Sequence, residues 1–577
     1  MKFGVLALDY DGTIARDGVL DPAVKASIAE ARARGITAIL VTGRILSDLK
    51  RVAGDLTFVD AVVAENGAQL AFPGGHTWLI GHPPPTAFLD ELHRRGIDFA
   101  AGLCLVETDA SLAPRILAVI REMELPLVLV FNRSRLMILP QGISKATGLR
   151  AALTALRLSA HNAIAIGDAE NDFDLLAACE IGAAVGWGSP ALQRSADEVI
   201  PGNGPSALAP WIQQAAKSPR LAPDRIGRNK IMLAMTDSGE PLGIAIGGRN
   251  VLIAGDPRSG KSWLTGLSSE QLMLHDYCTC VVDPEGDYEQ LEALPRVIAW
   301  GGDDPPPSLP ELARMLRHPD MSVVINLSRV PYKEKVDYLQ SLLPMLASLR
   351  RDTGLPQRIV VDEAHYFLNS PNVHQMLDLD LGAYTLVTYR PSDLHPDVRK
   401  AMEIVVATRT TDPEQIRALQ TMSGNGAGDW SATLAGLALG EGALLPGARE
   451  AQGKLQRFSF LPRLTAHVRH RSKYLDVPMP SGHEFVFTSD GGPVVTPART
   501  LQEFVTSLAG VPVGVLDGHA RRRDFSKWIA EVFHDHPLAS DISKVEERYR
   551  LGQVKDLRGE LIKAIQERYD VESELAL

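Results

Sequence analysis

Three apolar runs in the first third of the chain are each followed within a few residues by a carboxylate or a hydroxyl. Asp9 and Asp11 follow FGVLAL, Thr42 follows ITAILV, and Asp168 and Asp172 follow NAIAIG. In a parallel α/β sheet the carboxyl ends of the strands share one edge, so these side chains are expected to face one crevice. Gathered carboxylates repel each other unless a cation lies between them. Mg²⁺ suits this pattern, because it takes oxygen ligands and bridges to phosphate.

Such a pocket predicts phosphoryl-transfer chemistry. One aspartate can attack phosphorus and form an aspartyl-phosphate, while its neighbour protonates the leaving oxygen and later activates water. The hydroxyl of Thr42 and the ammonium of Lys145 can hold the equatorial phosphate oxygens. The bland alternative is that Asp and Gly only form turns at strand ends, which becomes weak when several such motifs occur in order.

A second chemical motif is GDPRSGKS at Gly255–Ser262, between the apolar run NVLIA and the helical segment WLTGLSSEQLML. It matches GxxxxGK[ST] in the strand–loop–helix context that a P-loop needs. Backbone N–H groups would close around phosphates, the Lys would reach the β/γ oxygens, and the last Ser would ligate Mg²⁺. The residues predicted to bind ATP are Gly255, Arg258, Ser259, Gly260, Lys261 and Ser262.

The segment RIVVDEAH, residues 358–365, is an apolar strand that ends in two carboxylates. Asp362 is suited to the Mg²⁺ shell, and Glu363 to orienting or deprotonating an attacking water. The alternative is that both carboxylates only favour a helix N-terminus. Together with the P-loop, the pair predicts ATP hydrolysis.

Short β-branched or Leu-rich runs alternate with helix-length segments through most of the chain, as in doubly wound α/β proteins. The predicted fold class is α/β, with two doubly wound, mainly parallel sheets and a small, mostly helical C-terminal domain. The strand rhythm lapses in the Pro- and Arg-rich segment SPRLAPDRIGRNK and again at PMPSG. The predicted segments are 1–215 with a cap at about 70–140, a linker at 216–230, an ATPase segment at 231–475, and a C-terminal domain at 484–577.

Composition narrows the class of protein further. The 577 residues carry 59 Lys and Arg against 70 Asp and Glu, a net charge of −11, so no global attraction to nucleic acid is expected. Four cysteines cannot form a disulfide framework, which favours a reducing cytoplasm. No apolar run approaches the length of about 18 residues that a membrane span needs, so no membrane partner is expected.

The first set of motifs resembles, in order and spacing, the four motifs of the haloacid dehalogenase superfamily. The motifs are DYDGT at Asp9–Thr13, VTGR at Val41–Arg44, Lys145 in GISKATGL, and GDAENDFDLL at Gly167–Leu176. The segment AENGA, residues 64–68, and the position of the cap are similar to Cof-type sugar-phosphate phosphatases. The implied fold is a Rossmann-like domain with an α+β cap.

The resemblance also implies a role for each motif residue. Asp9 is the nucleophile, Asp11 the acid/base, and Thr42 and Lys145 bind phosphate. Asp168 with Asp172 supports Mg²⁺, and the backbone carbonyl of Asp11 completes the set of protein ligands. The metal ligands implied for the two sites together are Asp9, Asp11, Asp168, Ser262 and Asp362.

Substrate choice in such a domain belongs to the cap. Arg133 and Arg135 are its candidate anion contacts, and a solvated basic face is the alternative. The implied partner is a small phosphorylated metabolite.

The second set of motifs resembles the HerA/FtsK-type ATPases, which are RecA-like and pump or unwind DNA as hexameric rings. VVDPEGDY, VTYRPSDL and VATRTTDP join the P-loop and DEAH in this resemblance. Thr388 then occupies the sensor position, and Arg409 or Arg390 is a candidate arginine finger, with a surface ion pair as the alternative for each. The resemblance implies a homo-oligomer. The segment has no winged-helix region or Arg/Lys run, so DNA translocation is its weakest implication.

Three hypotheses follow for the whole chain. The leading one is a bifunctional cytoplasmic hydrolase, an Mg²⁺-dependent phosphomonoesterase fused to an ATPase that oligomerises. The alternatives are a nucleic-acid motor with an accessory phosphatase, and a scaffold whose assembly ATP controls. The C-terminal segment loosely resembles a small helical domain of unknown function attached to other bacterial enzymes.

Overall fold

The computed structural model describes residues 2–218, 220, 229–245, 247–423, 430–446, 455–465, 484–489, 492–493, 497–533 and 536–566. The chain divides into two compact units, one of residues 1–284 with 288–466 and the other of residues 285–287 with 467–577. Most of the predicted linker, residues 219 and 221–228, lies outside the described residues, as does the end of the predicted ATPase segment after residue 465.

One parallel sheet carries the first set of motifs. Eight strands form it in the order β14-β13-β12-β1-β4-β5-β6-β7, and the first six are parallel. The strands of this half of the chain are β1 (Val5–Leu8), β2 (Ala15–Arg16), β3 (Val19–Leu20), β4 (Thr37–Val41), β5 (Ala61–Ala64), β6 (Gln69–Ala71), β7 (Thr77–Leu79), β8 (Ala100–Ala101), β9 (Val106–Asp109), β10 (Leu127–Asn132), β11 (Arg135–Pro140), β12 (Ala163–Gly167), β13 (Ile181–Val185) and β14 (Glu198–Ile200).

Both faces of this sheet are covered by helices. In β1, Leu6 and Leu8 pack into one buried cluster with helix residues Val24 and Ile212, while alternate residues of the strand pack into a second cluster on the other face. This burial explains why β1 is apolar at every position. The predicted α/β fold is confirmed for this domain. Its α-helices outside the cap are Pro22–Ala33, Leu46–Ala53, Lys145–Leu156, Phe173–Ala178, Pro190–Ser195 and Leu208–Lys217.

The cap is a separate four-stranded antiparallel sheet with strand order β10-β11-β9-β8. Helices Thr86–Arg94 and Ala113–Glu122 cover it and share a buried apolar cluster with it. The cap starts later than the predicted residue 70, because β6 and β7 hydrogen-bond to the main sheet. The hairpin of β10 and β11 turns at Arg133, whose φ is 55°.

The second set of motifs lies on an eleven-stranded sheet with the order β16-β15-β25-β24-β23-β17-β22-β21-β18-β20-β19. The seven strands from β23 to β19 are parallel, and the four at the other edge are antiparallel. The strands are β15 (Ile231–Thr236), β16 (Pro241–Ile244), β17 (Val251–Ala254), β18 (Thr279–Asp283), β19 (Val297–Gly301), β20 (Ser322–Asn326), β21 (Arg358–Val361), β22 (Tyr384–Thr388), β23 (Ile404–Ala407), β24 (Glu441–Leu444) and β25 (Gln456–Phe460).

Buried apolar clusters cover both faces of this sheet as well. The strand that leads into the predicted P-loop, β17, lies between β22 and β23, and β22 separates it from β21. The three loops that follow β17, β21 and β22 therefore lie at one edge. The α-helices of this segment are Lys261–Leu274, Leu309–Met315, Tyr332–Thr353, Val373–Met376, Pro396–Lys400, Pro413–Met422 and Ser431–Ala435.

The two large sheets contact each other near the amino ends of their strands. His161 and Asn162 directly precede β12, and the His161 ring stacks on Tyr277 with 3.6 Å between centroids. His161 Nε2 lies 2.7 Å from the carbonyl oxygen of His275, and Gln357 Nε2 donates to Asn162 Oδ1 at 2.9 Å. Because these contacts lie where the strands begin, the motif loops lie at the opposite edge of each sheet.

The described part of the C-terminal unit is mostly helical. Its aromatic core includes Phe485, Phe487, Phe504, Phe525 and Trp528. The elements are Thr488–Ser489 and Gly492–Pro493, which pair as strands, and the α-helices Leu501–Gly510, Val513–Arg522, Asp524–Trp528, His536–Arg550 and Leu557–Gln566.

In the parts of the chain that the structure covers, no helix combines the length and apolarity that crossing a bilayer requires.

Candidate phosphoryl-transfer and P-loop sites

Lys145 joins two of the predicted aspartates in the first site. Its Nζ donates to Asp9 Oδ1 at 2.5 Å and to Asp172 Oδ1 at 2.6 Å, and all three side chains are buried. Ser144 caps the helix that starts at Lys145 by a reciprocal capping box with Thr147, which fixes the backbone of Lys145 beside the sheet edge. The structure thus brings together three residues that are far apart in sequence.

Asp168 completes this cluster. Carboxylate oxygens of Asp9, Asp168 and Asp172 all lie within 4.8 Å of one another. Asp172 Oδ2 accepts the backbone N–H groups of Asp168 and Ala169 at 2.9 and 3.0 Å, so Asp172 orients the loop that carries Asp168. A Cβ at Gly12 would lie 2.3 Å from Asp168 Oδ2, which shows how closely the two motif loops approach.

The cluster perturbs its own ionisation. Burial and the nearby Asp172 carboxylate hold the pKa of Asp9 well above its ordinary value, against the opposing effect of Lys145. Burial, reinforced by Asp172, raises the pKa of Asp168 to about 6. Burial alone would lower the pKa of Lys145, but the Asp172 and Asp9 carboxylates raise it above its ordinary value. Three buried carboxyl groups thus share one ammonium, and a bound cation would offset their mutual repulsion.

The donor set fits a hard divalent cation. Asp9 Oδ2 is buried and has no hydrogen-bond partner among the described residues, so it is available to a metal ion or to phosphorus. Both oxygens of Asp172 accept N–H donors, so Asp172 positions Lys145 and the Asp168 loop and is less available as a metal ligand. Asp9 and Asp168 are thus the side chains that would hold Mg²⁺.

The side chain of Asp11 lies outside this cluster. Its two oxygens accept Arg44 Nε and Nη2 at 2.6 and 2.7 Å, and Arg44 also donates to Asp48 Oδ2 at 2.5 Å. Thr42 is buried at the end of β4, and its Oγ1 accepts the N–H of Arg44 at 3.1 Å. The sequence predicted that Asp11 and Thr42 contact the same phosphate. It assigned no role to Arg44, which connects the loop of Thr42 to the Asp11 carboxylate.

The cap reaches this cluster through Arg133. Its guanidinium donates to Asp168 Oδ2, and its backbone N–H lies 3.4 Å from Glu170 Oε2. Arg135, the other predicted cap cation, instead pairs with Glu107 of the cap sheet. The structure therefore separates the two arginines that the sequence treated alike.

At the second site the loop Gly255–Ser262, the predicted P-loop, hydrogen-bonds within itself and to Thr408. Ser259 Oγ donates to the Asp256 carbonyl at 2.7 Å and lies 2.5 Å from Thr408 Oγ1. Lys261 Nζ donates to the same carbonyl at 2.9 Å. A Cβ at Gly255 would lie 1.9 Å from Thr408 Oγ1, so only glycine fits there.

The other motif residues, Arg258, Gly260 and Ser262, lie where the loop enters the following helix. Gly260, with φ 99°, is the N-cap of the helix Lys261–Leu274, and Ser262 is its second residue. Arg258 also has a positive φ, 64°. A loop of this shape followed by a helix N-terminus is a fitting anion cradle.

The acidic strand end lies at the same sheet edge as this loop, one strand away. Asp362 and Glu363 follow β21, and Glu363 has a left-handed backbone with φ 47°. Tyr288 donates its hydroxyl to Asp362 Oδ2 at 3.0 Å. Thr388 Oγ1 lies 3.0 Å from His365 Nδ1, and burial lowers the pKa of His365 to about 4, so this ring is neutral at pH 7.

The two arginine-finger candidates lie near the same edge. Arg390 follows Thr388, pairs with Asp393 at 3.6 Å, and has its guanidinium 5.4 Å from the centroid of the Tyr389 ring. The carbonyl oxygen of Arg409 accepts the Asp256 N–H at 2.8 Å. Arg390 thus forms an ion pair within this chain, as expected if it is a surface residue and not an arginine finger.

Two family models match parts of this chain. A family model described as haloacid dehalogenase-like hydrolase matches residues 6–84 and 104–212. The N-terminal part of the chain is a haloacid dehalogenase-like hydrolase domain. A second model, for a family of unknown function, matches residues 498–577.

Individual relatives of the haloacid dehalogenase-like domain are distant. A phosphoglycolate phosphatase from Aeropyrum pernix is 28% identical over 222 residues, which cover 36% of this chain and 92% of that protein. The stress response protein YhaX of Bacillus subtilis is 24% identical over 269 residues, covering 37% and 93%. A solved haloalkanoate-superfamily phosphatase from Bacteroides thetaiotaomicron is 22% identical, with a TM-score of 0.32, and covers 37% of this chain and 95% of its own.

Three further residues of the haloacid dehalogenase-like domain shape the site. Glu65 accepts the backbone N–H groups of cap residues 103, 104 and 105 at 2.7–3.0 Å, and so ties the cap to the sheet. Asn66 Oδ1 accepts Asn171 Nδ2 at 3.2 Å. Trp187 Nε1 donates to the Gly12 carbonyl at 2.7 Å. The segment AENGA marked the first two in the sequence, whereas nothing marked Trp187.

Proposed function

We propose that the haloacid dehalogenase-like domain is an Mg²⁺-dependent phosphomonoesterase that forms an aspartyl-phosphate and acts on a small phosphorylated metabolite, such as a sugar phosphate. The observation that carries this proposal is the Asp9 carboxylate, which has one oxygen held by Lys145 and the other buried with no hydrogen-bond partner among the described residues. An oxygen in that state is a pre-oriented nucleophile that water does not solvate.

The chemistry then follows from the side chains at the sheet edge. Asp9 Oδ2 attacks phosphorus, the bond from phosphorus to the ester oxygen breaks, and Asp11 protonates the departing oxygen. Arg44 must release the Asp11 carboxylate for this step, since it now occupies both oxygens. Thr42 and Lys145 donate to the equatorial oxygens.

In the second half of the reaction, water attacks the aspartyl-phosphate. Asp11 takes its proton, inorganic phosphate leaves, and Asp9 returns to its starting state. Mg²⁺ on Asp9 and Asp168 would neutralise phosphate charge throughout. Asp172 keeps the Asp168 loop in place by its two backbone hydrogen bonds.

The test is release of phosphate from p-nitrophenyl phosphate and from a panel of metabolite phosphates. Wild-type protein should turn over esters only with Mg²⁺, and Asp9→Asn should lose the activity by at least about 10³-fold because the nucleophile is gone. A wild type that is inactive on the whole panel with Mg²⁺ present refutes the proposal.

The P-loop segment supports a second proposal, that it is a RecA-like domain of HerA/FtsK type that binds and hydrolyses ATP. The loop Gly255–Ser262 follows β17 and the carboxylates Asp362 and Glu363 follow β21, at one edge of the sheet, and Thr388 ends the strand β22 between them. ATP would be held by the loop N–H groups and Lys261, and Mg²⁺ by Ser262 and Asp362. Glu363 would then orient the attacking water.

Two substitutions separate binding from hydrolysis. Lys261→Ala should abolish binding of a fluorescent ATP analogue, whereas Glu363→Gln should retain binding and lose steady hydrolysis. Hydrolysis that survives Glu363→Gln would contradict the assigned role. If wild type binds ATP but does not turn it over, the scaffold alternative replaces this proposal.

The proposed assembly is a homo-oligomer, and a hexameric ring is the form that the resemblance implies. Native mass measured with and without ATP tests it. The nucleic-acid motor alternative requires ATP hydrolysis that DNA stimulates and binding that salt weakens. Neither effect is expected, because the excess of carboxylates gives no general attraction to DNA.

A further inference from the structure

The two edges of the eight-stranded sheet differ in how they are protected. The sheet ends in β14 on one side and in β7 on the other. β14 starts at Glu198, whose carboxylate accepts Trp211 Nε1 at 2.7 Å, and Pro201 follows the strand. A charge and a proline are common ways of keeping a second chain from pairing with an edge strand. β7, residues Thr77–Leu79, has neither, and in the described parts of the chain it pairs only with β6.

The outer side of β7 is apolar and uncharged. All three residues of the strand are exposed, with Trp78 at 52% and Leu79 at 46%. The Trp78 ring contacts Phe72 edge to face, with 5.3 Å between centroids, so half of the indole still faces solvent. No Asp, Glu, Lys or Arg occurs in residues 66–89, although 22% of the chain is charged. No charge in this stretch therefore repels a second copy of the same strand.

The backbone groups of β7 that point away from the sheet are those of Thr77 and Leu79. Residues of an antiparallel pair alternate between hydrogen-bonded and non-hydrogen-bonded positions. Ile80 donates its N–H to the Ala68 carbonyl at 2.8 Å, directly beyond the pairing of β7 with β6. By this alternation Trp78 also bonds to β6, whereas Thr77 and Leu79 turn their N–H and C=O groups outward. The edge thus presents two donors and two acceptors.

We propose that β7 binds β7 of a second copy of this chain, so that two haloacid dehalogenase-like domains share one continuous sheet. The strand is complementary to itself. When the two Trp78 residues lie opposite each other, Thr77 of each copy faces Leu79 of the other. All outward groups then pair, which gives four hydrogen bonds about a two-fold axis. A shift of two residues would place Thr77 or Leu79 opposite the backbone beyond the strand.

The side chains favour the same register. At the two-fold axis the Trp78 residues form a non-hydrogen-bonded pair, in which Cα atoms lie about 4.5 Å apart. The two indoles, each half exposed in a single chain, would cover each other, and aromatic pairs add stabilisation beyond the area that they bury. Phe72 of each copy would extend this aromatic group on the same face.

The position of β7 leaves this edge accessible to a second copy. The contact between the two large sheets is made at β12, five strands away from β7. The pairing depends neither on the proposed phosphatase activity nor on the proposed ATP-driven assembly, because it uses no residue of either site. Since each strand has only three residues, the interface is small, and we expect a weak dimer with a dissociation constant of about micromolar size.

Sedimentation velocity of the full chain, without nucleotide and over a range of protein concentrations, tests this dimer. Thr77→Pro removes an outward donor and no bond to β6, and Trp78→Lys places two ammonium groups opposite each other. Each should weaken dimerisation by at least about tenfold. Leu117→Lys is the matched control, because Leu117 is 47% exposed, like Leu79, but lies on a cap helix. It should leave the dimer unchanged.

Disulfide formation tests the register independently. The four native cysteines are buried, so an introduced surface cysteine is the reactive thiol. Trp78→Cys should crosslink two copies on mild oxidation, because the expected spacing fits a disulfide. Thr77→Cys alone should crosslink poorly, whereas a mixture of Thr77→Cys and Leu79→Cys proteins should form a disulfide between them.

Three results would overturn the proposal. One is a wild type that remains monomeric up to about 100 µM, well above the expected dissociation constant. Another is a loss of dimer in Leu117→Lys that equals the loss in Trp78→Lys. The third is crosslinking of Thr77→Cys alone that matches Trp78→Cys, because the two strands would then not pair in the proposed register.

Discussion

Lys145 gives the sharpest test of how the phosphatase site is held together. Its Nζ lies 2.5 Å from Asp9 Oδ1 and 2.6 Å from Asp172 Oδ1, and only 1% of the residue is exposed. At an effective dielectric constant of about 20, each attraction is worth roughly 6–7 kcal/mol before the desolvation of the ammonium is subtracted. Removing one member of such a buried group costs about 3–5 kcal/mol. We expect that loss for Lys145→Met near pH 8.

The loss should depend on pH, with a sign fixed by Asp9. Because the pKa of Asp9 is raised in the folded protein, the folded state holds a proton that the unfolded state has released, and stability falls as pH rises toward the folded pKa. Lys145 is the group that lowers this pKa, so Lys145→Met raises it further. The gap in stability between wild type and variant should therefore widen from pH 5 to pH 8.

Hydrogen exchange read by mass spectrometry measures this locally in a multidomain chain. Amides of Val5–Leu8, which directly precede Asp9, should exchange roughly 10²- to 10³-fold faster in Lys145→Met at pH 8, after correction for intrinsic rates. Amides of Val251–Ala254 in the other sheet serve as the internal reference.

Two variants control the interpretation. Lys50→Met removes an exposed ammonium from a helix and should leave all of these amides unchanged. Lys145→Met combined with Asp172→Asn removes one of the stranded charges and should recover part of the protection. Equal protection of the variant at both pH values, or no recovery in the double variant, would refute the reasoning.

Three other substitutions test the loops and the contact between the sheets. Gly12→Ala should weaken Mg²⁺ binding at least about tenfold by calorimetry, because its Cβ would lie 2.3 Å from Asp168 Oδ2. Gly35→Ala is the matched control, since Gly35 has nearly the same φ (84° against 82° for Gly12) but a Cβ there would meet nothing within 4 Å. This control should leave Mg²⁺ binding unchanged. Glu65→Gln should speed hydrogen exchange in the tethered cap loop by about 10–100-fold, because three charge-assisted hydrogen bonds weaken. Gln357→Leu should lower the apparent melting temperature by several degrees, because its bonds to the other sheet and to the adjacent strand are lost.

Each of these variants has an outcome that would contradict it. Unchanged Mg²⁺ affinity in the Gly12 variant would show that the two motif loops are free to separate. Glu124 is an exposed carboxylate of the cap, and Glu124→Gln should leave hydrogen exchange in the cap loop unchanged. If the Glu65 and Glu124 variants have equal effects, Glu65 does not hold the cap loop. Gln214→Leu, on an exposed helix position, should not change the melting temperature; if it matches Gln357→Leu, the contact between the sheets is not the cause.

Local chemistry made part of the site predictable. A strand buried on both faces must be apolar, and a loop that leaves it can carry polar groups only beyond its last residue, so Asp9, Thr42 and Asp168 could be assigned to one edge. The same reasoning predicted a P-loop and an acidic strand end for the second sheet, where the structure brings both loops to one edge and their role in binding ATP stays a prediction. These patterns depend on residues close in sequence, which the sequence contains in full.

Tertiary structure decided what depends on distant residues. Lys145 meets Asp9 across 136 positions, and Arg133 meets Asp168 across 35, through a hairpin of a different sheet. The sequence could not distinguish Arg133 from Arg135, because both lie on one hairpin and only the packing of the cap on the core determines which one reaches the site. Nor could it show that Asp11 is held by Arg44, since a turn and a helix must first fold to bring them together.

The sequence by itself therefore indicated the α/β fold and the haloacid dehalogenase-like motifs that gather carboxylates at the first sheet edge. Which charges neutralise one another, where the cap begins, and how the two sheets contact through His161, Tyr277 and Gln357 were decided only by the folded chain. The physical reason is that ion pairs and hydrogen bonds act over a few ångströms. Which groups come within that range is set by packing of the whole molecule.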